Sequence, residues 1–475
     1  MGGDAMMLHG RRCGDETLEV RSPWDGRVAG RVAEDDAGDV RRAVETVAGY
    51  DRGLDVAQRA EILGAAAQTV AARREELADL ITAEAGICAR DSRTEVDRAA
   101  ANLRVAAEEC RRIRGETIEI TAGGTPRLAL TMREPVGTVA AVTPFNRPLN
   151  QVVVKLAPAL AMNNGVVLKP SEKAPLSALA LAEILHGSGL PDTMLAVVTG
   201  RPGTVGPALV GHPAVDMVTF TGSVATGEAV ARAAGMRKLH LELGGNDPLI
   251  VLADADLERA ARLAAAGACG NAGQSCRGVK RIICADEVAD AFVELLVARV
   301  ERLRCGDPAD PCTDVGPLIS AEAAATVAGR IDASVRDGAV LRVGGGHRGA
   351  VVPPSVLDHV DPGSELVTHE TFGPVAPVIR VAGPEAAVAV ANSTPYGLQA
   401  GVLTRDFPAF LEIASGLRVG AVALDDGPNF DSPYIPFGGV RRSGIGREGI
   451  AYSMAEMSTV KTVVLPRAAT TRRGS

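Results

Sequence analysis

Aromatic residues are scarce in this chain: Phe, Tyr and Trp together make up 3% of its 475 residues, and Trp24 is the single tryptophan. An aromatic cage of the kind that holds quaternary-ammonium ligands by cation–π contacts is therefore a poor expectation. A basic surface is also missing. The formal net charge is −8, which argues against nucleic-acid and anionic-membrane partners, because both need an excess of Lys and Arg. No run of about 18 apolar residues occurs, so no membrane span is expected. Residues 1–14 lack the apolar stretch of a signal peptide. The cysteines (Cys13, Cys88, Cys110, Cys269, Cys276, Cys284, Cys305 and Cys312) form no C-x-x-C pair, and the histidines complete no zinc pattern, so no metal is expected. With 46% hydrophobic residues the chain builds a core without disulfide staples. A reducing, cytoplasmic setting follows as the default.

The length allows two or three domains. Residues 17–35 read as short strands broken by a turn at 23–26. Residues 40–110 have helical spacing; within 57–83, Ile62, Ala66, Val70, Leu77 and Leu80 fall roughly on one face. Alternation on either side of 122–124 predicts a hairpin over 117–134. A second β-rich piece, 458–465, lies near the end, and two such pieces often pair across subunits. From 136 to 245 strands and helices alternate. Strands are expected at 137–142, 165–168, 195–198, 215–220 and 239–243, and helices at 175–186, 203–210 and 223–234. This order predicts an α/β fold with a parallel sheet, and such sheets bind dinucleotides at the carboxyl ends of their strands. Residues 248–424 repeat the theme, with helices near 257–266 and 287–303 and strands near 279–284 and 375–381. Residues 425–436 read as a loop.

Several short segments carry residues suited to chemistry. Cys276 follows GNAGQS at 270–275, where glycines allow close backbone approach, and Arg277 favours a thiolate. Taken alone, one cysteine among eight is most often a small buried hydrophobe. Glu242 ends an apolar strand before two glycines, a setting that raises a carboxyl pKa and suits a general base. Asn146 ends the strand 137–142 and offers an amide to a developing oxyanion. Lys169 and Glu172, at another strand end, suit ribose hydroxyls, and Glu172 repels a 2′-phosphate. Ser223 is an N-cap candidate that leaves free N–H groups for a pyrophosphate. The turn around it is neither G-x-G-x-x-G nor a P-loop, since Glu228 stands where a P-loop needs Lys. Each segment alone also reads as an ordinary turn.

Together they resemble the aldehyde dehydrogenase superfamily. The resemblance runs from about Glu19 to Leu465 and rests on seven segments in the family's order: TPFN at 143–146, KPSE at 169–172, FTGS at 220–223, ELGG at 242–245, GQSC at 273–276, ETFGP at 370–374 and PFGG at 436–439. Glu242 and Cys276 stand 34 positions apart, the family's usual separation.

The resemblance implies roles. Cys276 attacks an aldehyde, Asn146 and the Cys276 N–H hold the oxyanion, and Glu242 activates the water that releases the acid. A bound NAD (NADP being possible) is touched by Thr143, Pro144, Lys169, Ser171, Glu172, Phe220, Gly222, Ser223, Gly227, Leu243, Glu370 and Phe372. The implied fold is a Rossmann-type NAD-binding domain (1–116 and 136–245, with a return near 425–457) and an α/β catalytic domain (246–424). A small β oligomerisation hairpin (117–135 with 458–467) completes it and implies a homodimer or homotetramer.

The segments around 143–165 and 242–260 look like the branch acting on lactaldehyde, phosphonoacetaldehyde and related small or anionic aldehydes. Three departures stand out. Ser275 replaces an Arg common before the cysteine, Arg147 replaces a His common after the oxyanion Asn, and Leu424-Asp425-Asp426 replaces a more usual Val-Asn. Arg147 and Arg98 are the candidate anion ligands, set against the reading that both are ion-paired or surface residues. Semialdehyde or lactaldehyde oxidation, a CoA-acylating relative and a non-catalytic NAD-binding descendant are the alternatives.

Overall fold

The computed structural model describes residues 17–430 and 432–466; the signal-peptide expectation for 1–14, Cys13 and the final residue of the expected 458–467 strand lie outside them. Two α/β sheets organise the described chain. The first has six strands in the order Gly444–Ile445, Lys238–Glu242, Met217–Thr221, Thr138–Val142, Gly165–Lys169, Leu195–Val197. All its pairings are parallel except that of Gly444–Ile445 with Lys238–Glu242. The second has seven strands, all drawn from between Pro248 and Leu424, and only Val340–Val343 runs antiparallel to its neighbour. Both sheets are α/β layers with helices on their faces, as the alternation predicts.

The strands expected between 136 and 245 form within two residues of their predicted ends. One helix there has no expected counterpart, Asn150–Ala161. Ten of its twelve residues are buried, so it carries no amphipathic stripe to read. The stretch 57–83 is two helices, Val56–Ala72 and Arg74–Ala85. Arg73 at the junction has ψ 24, off the helical value, and the axis breaks there.

Two buried carboxylates in the N-terminal helical layer fasten it to the first sheet's helices. Neither Asn150–Ala161 nor Leu176–Gly187 has a capping side chain of its own. Glu95 Oε1 accepts from Leu149 N (2.9 Å) and Asn150 N (3.1 Å). Glu84 accepts from Leu176 N (2.6 Å) and Ser177 N (3.0 Å). The free N–H groups of a helix start are thus satisfied from another element. Burial pushes the Glu84 carboxyl up to about 7.

A third, three-stranded sheet projects from this body in the order Ser458–Pro466, Thr125–Pro135, Thr117–Ala122, antiparallel throughout. The two β-rich pieces expected to pair across subunits pair within one chain, Ser458 opposite Pro135 and Pro466 opposite Arg127. The helix Ile450–Glu456 ends beside Pro135, so the last strand reaches its partner without leaving the subunit. Ile118, Ile120, Met132, Val460, Val464 and Leu465 on this ribbon remain exposed. Among the described residues no helix is long and apolar enough to cross a membrane.

Candidate active site

Thr138–Val142 is first in sequence and sits in the middle of its sheet. The chain builds outward to Gly165–Lys169 and Leu195–Val197 on one side, then crosses to Met217–Thr221 and Lys238–Glu242 on the other. A crevice opens at such a reversal, outside the carboxyl ends of the strands. The residues there are Thr143 and Pro144, Lys169 with Ser171 and Glu172, and Gly222 and Ser223.

Lys169 is buried, donates to its neighbour's carbonyl at Pro170 (3.0 Å) and lies 3.9 Å from Glu172. Burial lowers its pKa. Ser223 caps the helix Val224–Ala234 by accepting from Thr226 N (3.3 Å). The other first-turn N–H groups are left facing the crevice side of the helix end. A Cβ on Gly222 would strike the Phe220 ring at 2.5 Å, and one on Gly227 would overlap Leu243. Gly222 thus packs against Phe220, and Gly227 against Leu243. Thr143 and Thr221 each bury a hydroxyl with no partner among the described residues. A pyrophosphate-bearing dinucleotide fits this set: a helix start for its charge, glycines for close approach and spare hydroxyls for its oxygens.

Cys276 lies past the helix Leu257–Cys269 and the short 3-10 turn Gly270–Gly273. That turn is strained, for Asn271 and Ala272 both have φ 53, in the left-handed region unusual for side-chain-bearing residues. Its position is fixed from several sides. Lys280 Nζ donates to Gly273 O (2.5 Å), and Asn271 Nδ2 to Asn146 O (3.0 Å) and Gln274 O (3.2 Å). Gln274 Oε1 accepts from Ile319 N (2.9 Å). The Asn146 amide gives one N–H to Gln274 O (2.9 Å), which orients the other. On the far side a Cβ on Gly245 would overlap Cys276 O, so the ELGG turn and the cysteine loop touch through backbone. Burial pushes the Cys276 thiol up to about 12, against the pull of Arg277; Glu370, Asp247 and Glu242 push the same way as burial. Arg277 favours the thiolate as expected, but desolvation is the larger effect.

Glu370 contacts the same turn: its Oε1 accepts from Gly245 N (3.2 Å), and burial raises its carboxyl to about 7. Phe372 packs edge-on against Phe145 (6.1 Å between centroids), and Lys280 Nζ lies 5.1 Å from the Phe372 ring centre. Glu242 is buried, with neither carboxylate oxygen hydrogen-bonded among the described residues. Burial and the charge of Glu448 hold its carboxyl well above the usual range, while Lys155 and Arg447 pull it down. The surroundings are thus less apolar than the sequence implied. Lys155, His240, Glu448, Asn271 and Lys280 escaped the sequence reading. Lys155 alone left a signal, a single charge inside the apolar run VVVKLAPALA.

A cleft of ≈ 120 Å³ reaches Cys276, Ser275 and Asn146, and Arg98, Arg147 and Arg277 line it. Arg147 also lies 3.8 Å from Glu95, so it is ion-paired and cleft-lining at once. Asn429, in the loop that follows the Asp425–Asp426 departure, lines the same cleft. Among the described residues no group of three or more His, Cys, Asp or Glu is placed to hold a metal.

Comparison with known proteins gives the family. The profile of the aldehyde dehydrogenase family matches residues 11–463. The chain is 38% identical to 3-sulfolactaldehyde dehydrogenase of Priestia aryabhattai over 453 residues, 95% of each chain. It is 36% identical to lactaldehyde dehydrogenase of Methanococcus maripaludis, covering 97% of this chain and 99% of the relative. Among solved structures, glyceraldehyde-3-phosphate dehydrogenase of Methanocaldococcus jannaschii complexed with NADP superposes with a TM-score of 0.92 and 37% identity, over 95% of this chain and all of that one. The chain belongs to the aldehyde dehydrogenase family and is an NAD(P)-dependent oxidoreductase acting on the aldehyde group.

Proposed function

We propose that the protein oxidises a small, anionic aldehyde to its acid through covalent catalysis at Cys276. The observation that supports this most is the cleft, where Cys276 and Asn146 lie with three arginines and one carboxylate, Glu95. Guanidinium forks match the oxygens of carboxylate and phosphonate groups, and a sulfonate offers the same kind of oxygens. Two of the relatives are named for aldehydes carrying a sulfonate or a phosphate, and one for neutral lactaldehyde. Arg147 and Arg98 are assigned as the anion ligands, with Ser275 at the cleft wall.

In this reading Sγ of ionised Cys276 attacks the carbonyl carbon. The second Asn146 N–H and the Cys276 backbone N–H stabilise the oxyanion of the thiohemiacetal. NAD(P), when bound, supplies the hydride acceptor. Lys169 and Glu172 hold the adenosine ribose, Gly222 and Ser223 the pyrophosphate, and Glu370 the nicotinamide ribose beside Phe372. Glu242 takes a proton from water, which attacks the Cys276 thioester; the carbon–sulfur bond breaks and the acid leaves. The first sheet with the N-terminal helices (1–116, 136–245 and the return near 425–457) is assigned to the cofactor, and 246–424 to the cysteine. The ribbon (117–135 with 458–467) is assigned to homo-oligomerisation, as a dimer or tetramer. A reducing cytoplasm suits the free thiols.

The test is a panel of neutral, carboxylated, phosphorylated and sulfonated small aldehydes, compared by kcat/KM in wild type and Arg147→Ala without CoA. Anionic aldehydes should lead, and the substitution should cost them at least tenfold while sparing neutral ones. A preference that survives the substitution removes Arg147 from the site, and strict dependence on CoA overturns the hydrolytic reading in favour of a CoA-acylating one. NAD(P) binding without turnover of any aldehyde would leave a non-catalytic protein.

A further inference from the structure

His240 and Glu242 are two residues apart on the strand Lys238–Glu242, so their side chains leave the same face of the sheet. His240 Nε2 lies 3.4 Å from Glu242 Oε1. Neither that nitrogen nor either Glu242 oxygen has a hydrogen-bond partner among the described residues. Two buried polar groups that would otherwise be orphaned thus face each other, and buried polar groups are rarely left unpaired.

The other end of the imidazole decides what Nε2 carries. Lys155 is fully buried, and its ammonium, which can only donate, reaches Thr219 Oγ1 (3.1 Å) and Glu448 Oε1 (3.0 Å). Thr219 Oγ1 therefore accepts from Lys155 and keeps its own proton for His240 Nδ1, 3.2 Å away. Burial, Lys155 and Arg447 all disfavour a charged His240. A neutral imidazole that accepts at Nδ1 carries its proton on Nε2, the atom facing Glu242. Both side chains are also confined. A Cβ on Gly446 would sit 2.7 Å from His240 Cδ2, and one on Gly438 would sit 2.7 Å from Glu242 Oε1.

We propose that His240 is a positioning residue: its Nε2–H holds the ionised Glu242 carboxylate in place to accept the proton of the hydrolytic water, and the Lys155–Thr219 pair sets the tautomer that allows it. This rests on Glu242 being the general base. The charged groups facing Glu242 are Glu448, Lys155 and Arg447, and those facing His240 are Lys155, Arg447 and Glu242 itself. A hydrogen bond donated to the ionised form favours that form, so its loss moves the ionisation of Glu242 to higher pH.

The full-length protein is acylated at Cys276 with 4-nitrophenyl acetate, and the rate after the burst, which reports thioester hydrolysis, is followed against pH. In His240→Leu the acid limb should move up by about one pH unit, about tenfold slower on that limb. His240→Gln, which restores an N–H at the same reach, should bring the limb back toward wild type. Thr219→Val leaves the imidazole in place but frees its tautomer, and should move the limb in the same direction as His240→Leu. A slower His240→Leu enzyme whose limb has not moved, or a Gln variant indistinguishable from the Leu variant, overturns the proposal. Glu242→Gln, run alongside, separates the two failures. Undiminished hydrolysis there overturns the base assignment and the role of His240 with it. A slow Glu242→Gln beside an unmoved His240→Leu limb overturns only the role of His240.

Discussion

Gly273→Ala is expected to disable catalysis while leaving cofactor binding intact. Gly273 has φ +71, and a methyl there would lie inside the Gly373 carbonyl and 2.6 Å from Pro374 N. The backbone term alone costs an L-residue about 1–2 kcal/mol. The steric term cannot be relieved by a rotamer change, because the obstructing atoms are backbone. The cysteine loop and the turn at Gly373–Pro374 must separate, and the Lys280 bond to Gly273 O is stretched as they do. Total destabilisation of about 2–4 kcal/mol would lower the melting temperature by several degrees without unfolding the protein. Cys276 lies three residues on, and a misplacement on the order of 1 Å at a reacting atom costs ~10²-fold.

The assay is kcat/KM with the best aldehyde of the panel, alongside NAD(P) affinity by fluorescence and a thermal melt. Ala272→Gly serves as the control. It relieves a left-handed alanine but adds the ~0.5–1 kcal/mol entropic cost of glycine, so both stability and rate should stay near wild type. Gly273→Ala retaining kcat/KM within about threefold of wild type, less than 1 kcal/mol of barrier, would refute the argument that this contact places the sulfur.

Cys276→Ala should abolish turnover with NAD(P) affinity unchanged. In the cofactor-free wild type, alkylation of Cys276 by iodoacetamide should keep climbing about tenfold per pH unit through pH 10, since its thiol is pushed up to about 12; a plateau at or below pH 9 refutes that. Glu172→Gln removes the carboxylate beside Lys169 and should raise the NADP/NAD ratio of kcat/KM by roughly tenfold, about 1.4 kcal/mol of lost repulsion; an unchanged ratio takes Glu172 out of cofactor choice. Deleting 458–475 strips the nine paired residues from Thr125–Pro135 and should reduce the assembly to monomers in light scattering; an intact oligomer moves the interface elsewhere.

The first sheet was readable because each strand is short, apolar and followed by a visible turn. Cys276, Glu242 and Asn146 stand out only as a set, because chemistry at one residue leaves no mark that a turn residue or core thiol could not leave too. The helix Asn150–Ala161 was not, since burial on every side erases periodicity. His240 was hidden for a related reason: in LHLEL it reads as an interruption of an apolar strand, and its meaning depends on Thr219 and Lys155, which reach it only through the fold. Arg147 shows the opposite limit. Sequence posed ion pair against ligand as alternatives; the structure pairs Arg147 with Glu95 and also sets it in the cleft wall, so the two roles do not exclude each other and the ligand role rests on the substitution test.

The antiparallel strand Gly444–Ile445 covers the edge of the strand that ends in Glu242, and it is made late. Roughly two hundred residues separate the two, some 10–40 s of synthesis at cellular rates. A nascent chain can therefore complete the parallel core of the first sheet while its edge, and the backbone beside Glu242, still lie open to water. The ribbon closes later still, with Ser458–Pro466. It follows that a chain stalled or clipped before residue 444 has every residue of the cysteine loop yet lacks the edge strand over Glu242 and the last strand of the exposed ribbon. Under the roles proposed for Glu242 and the ribbon, the site and the association surface are both completed only once residues 444–466 are made.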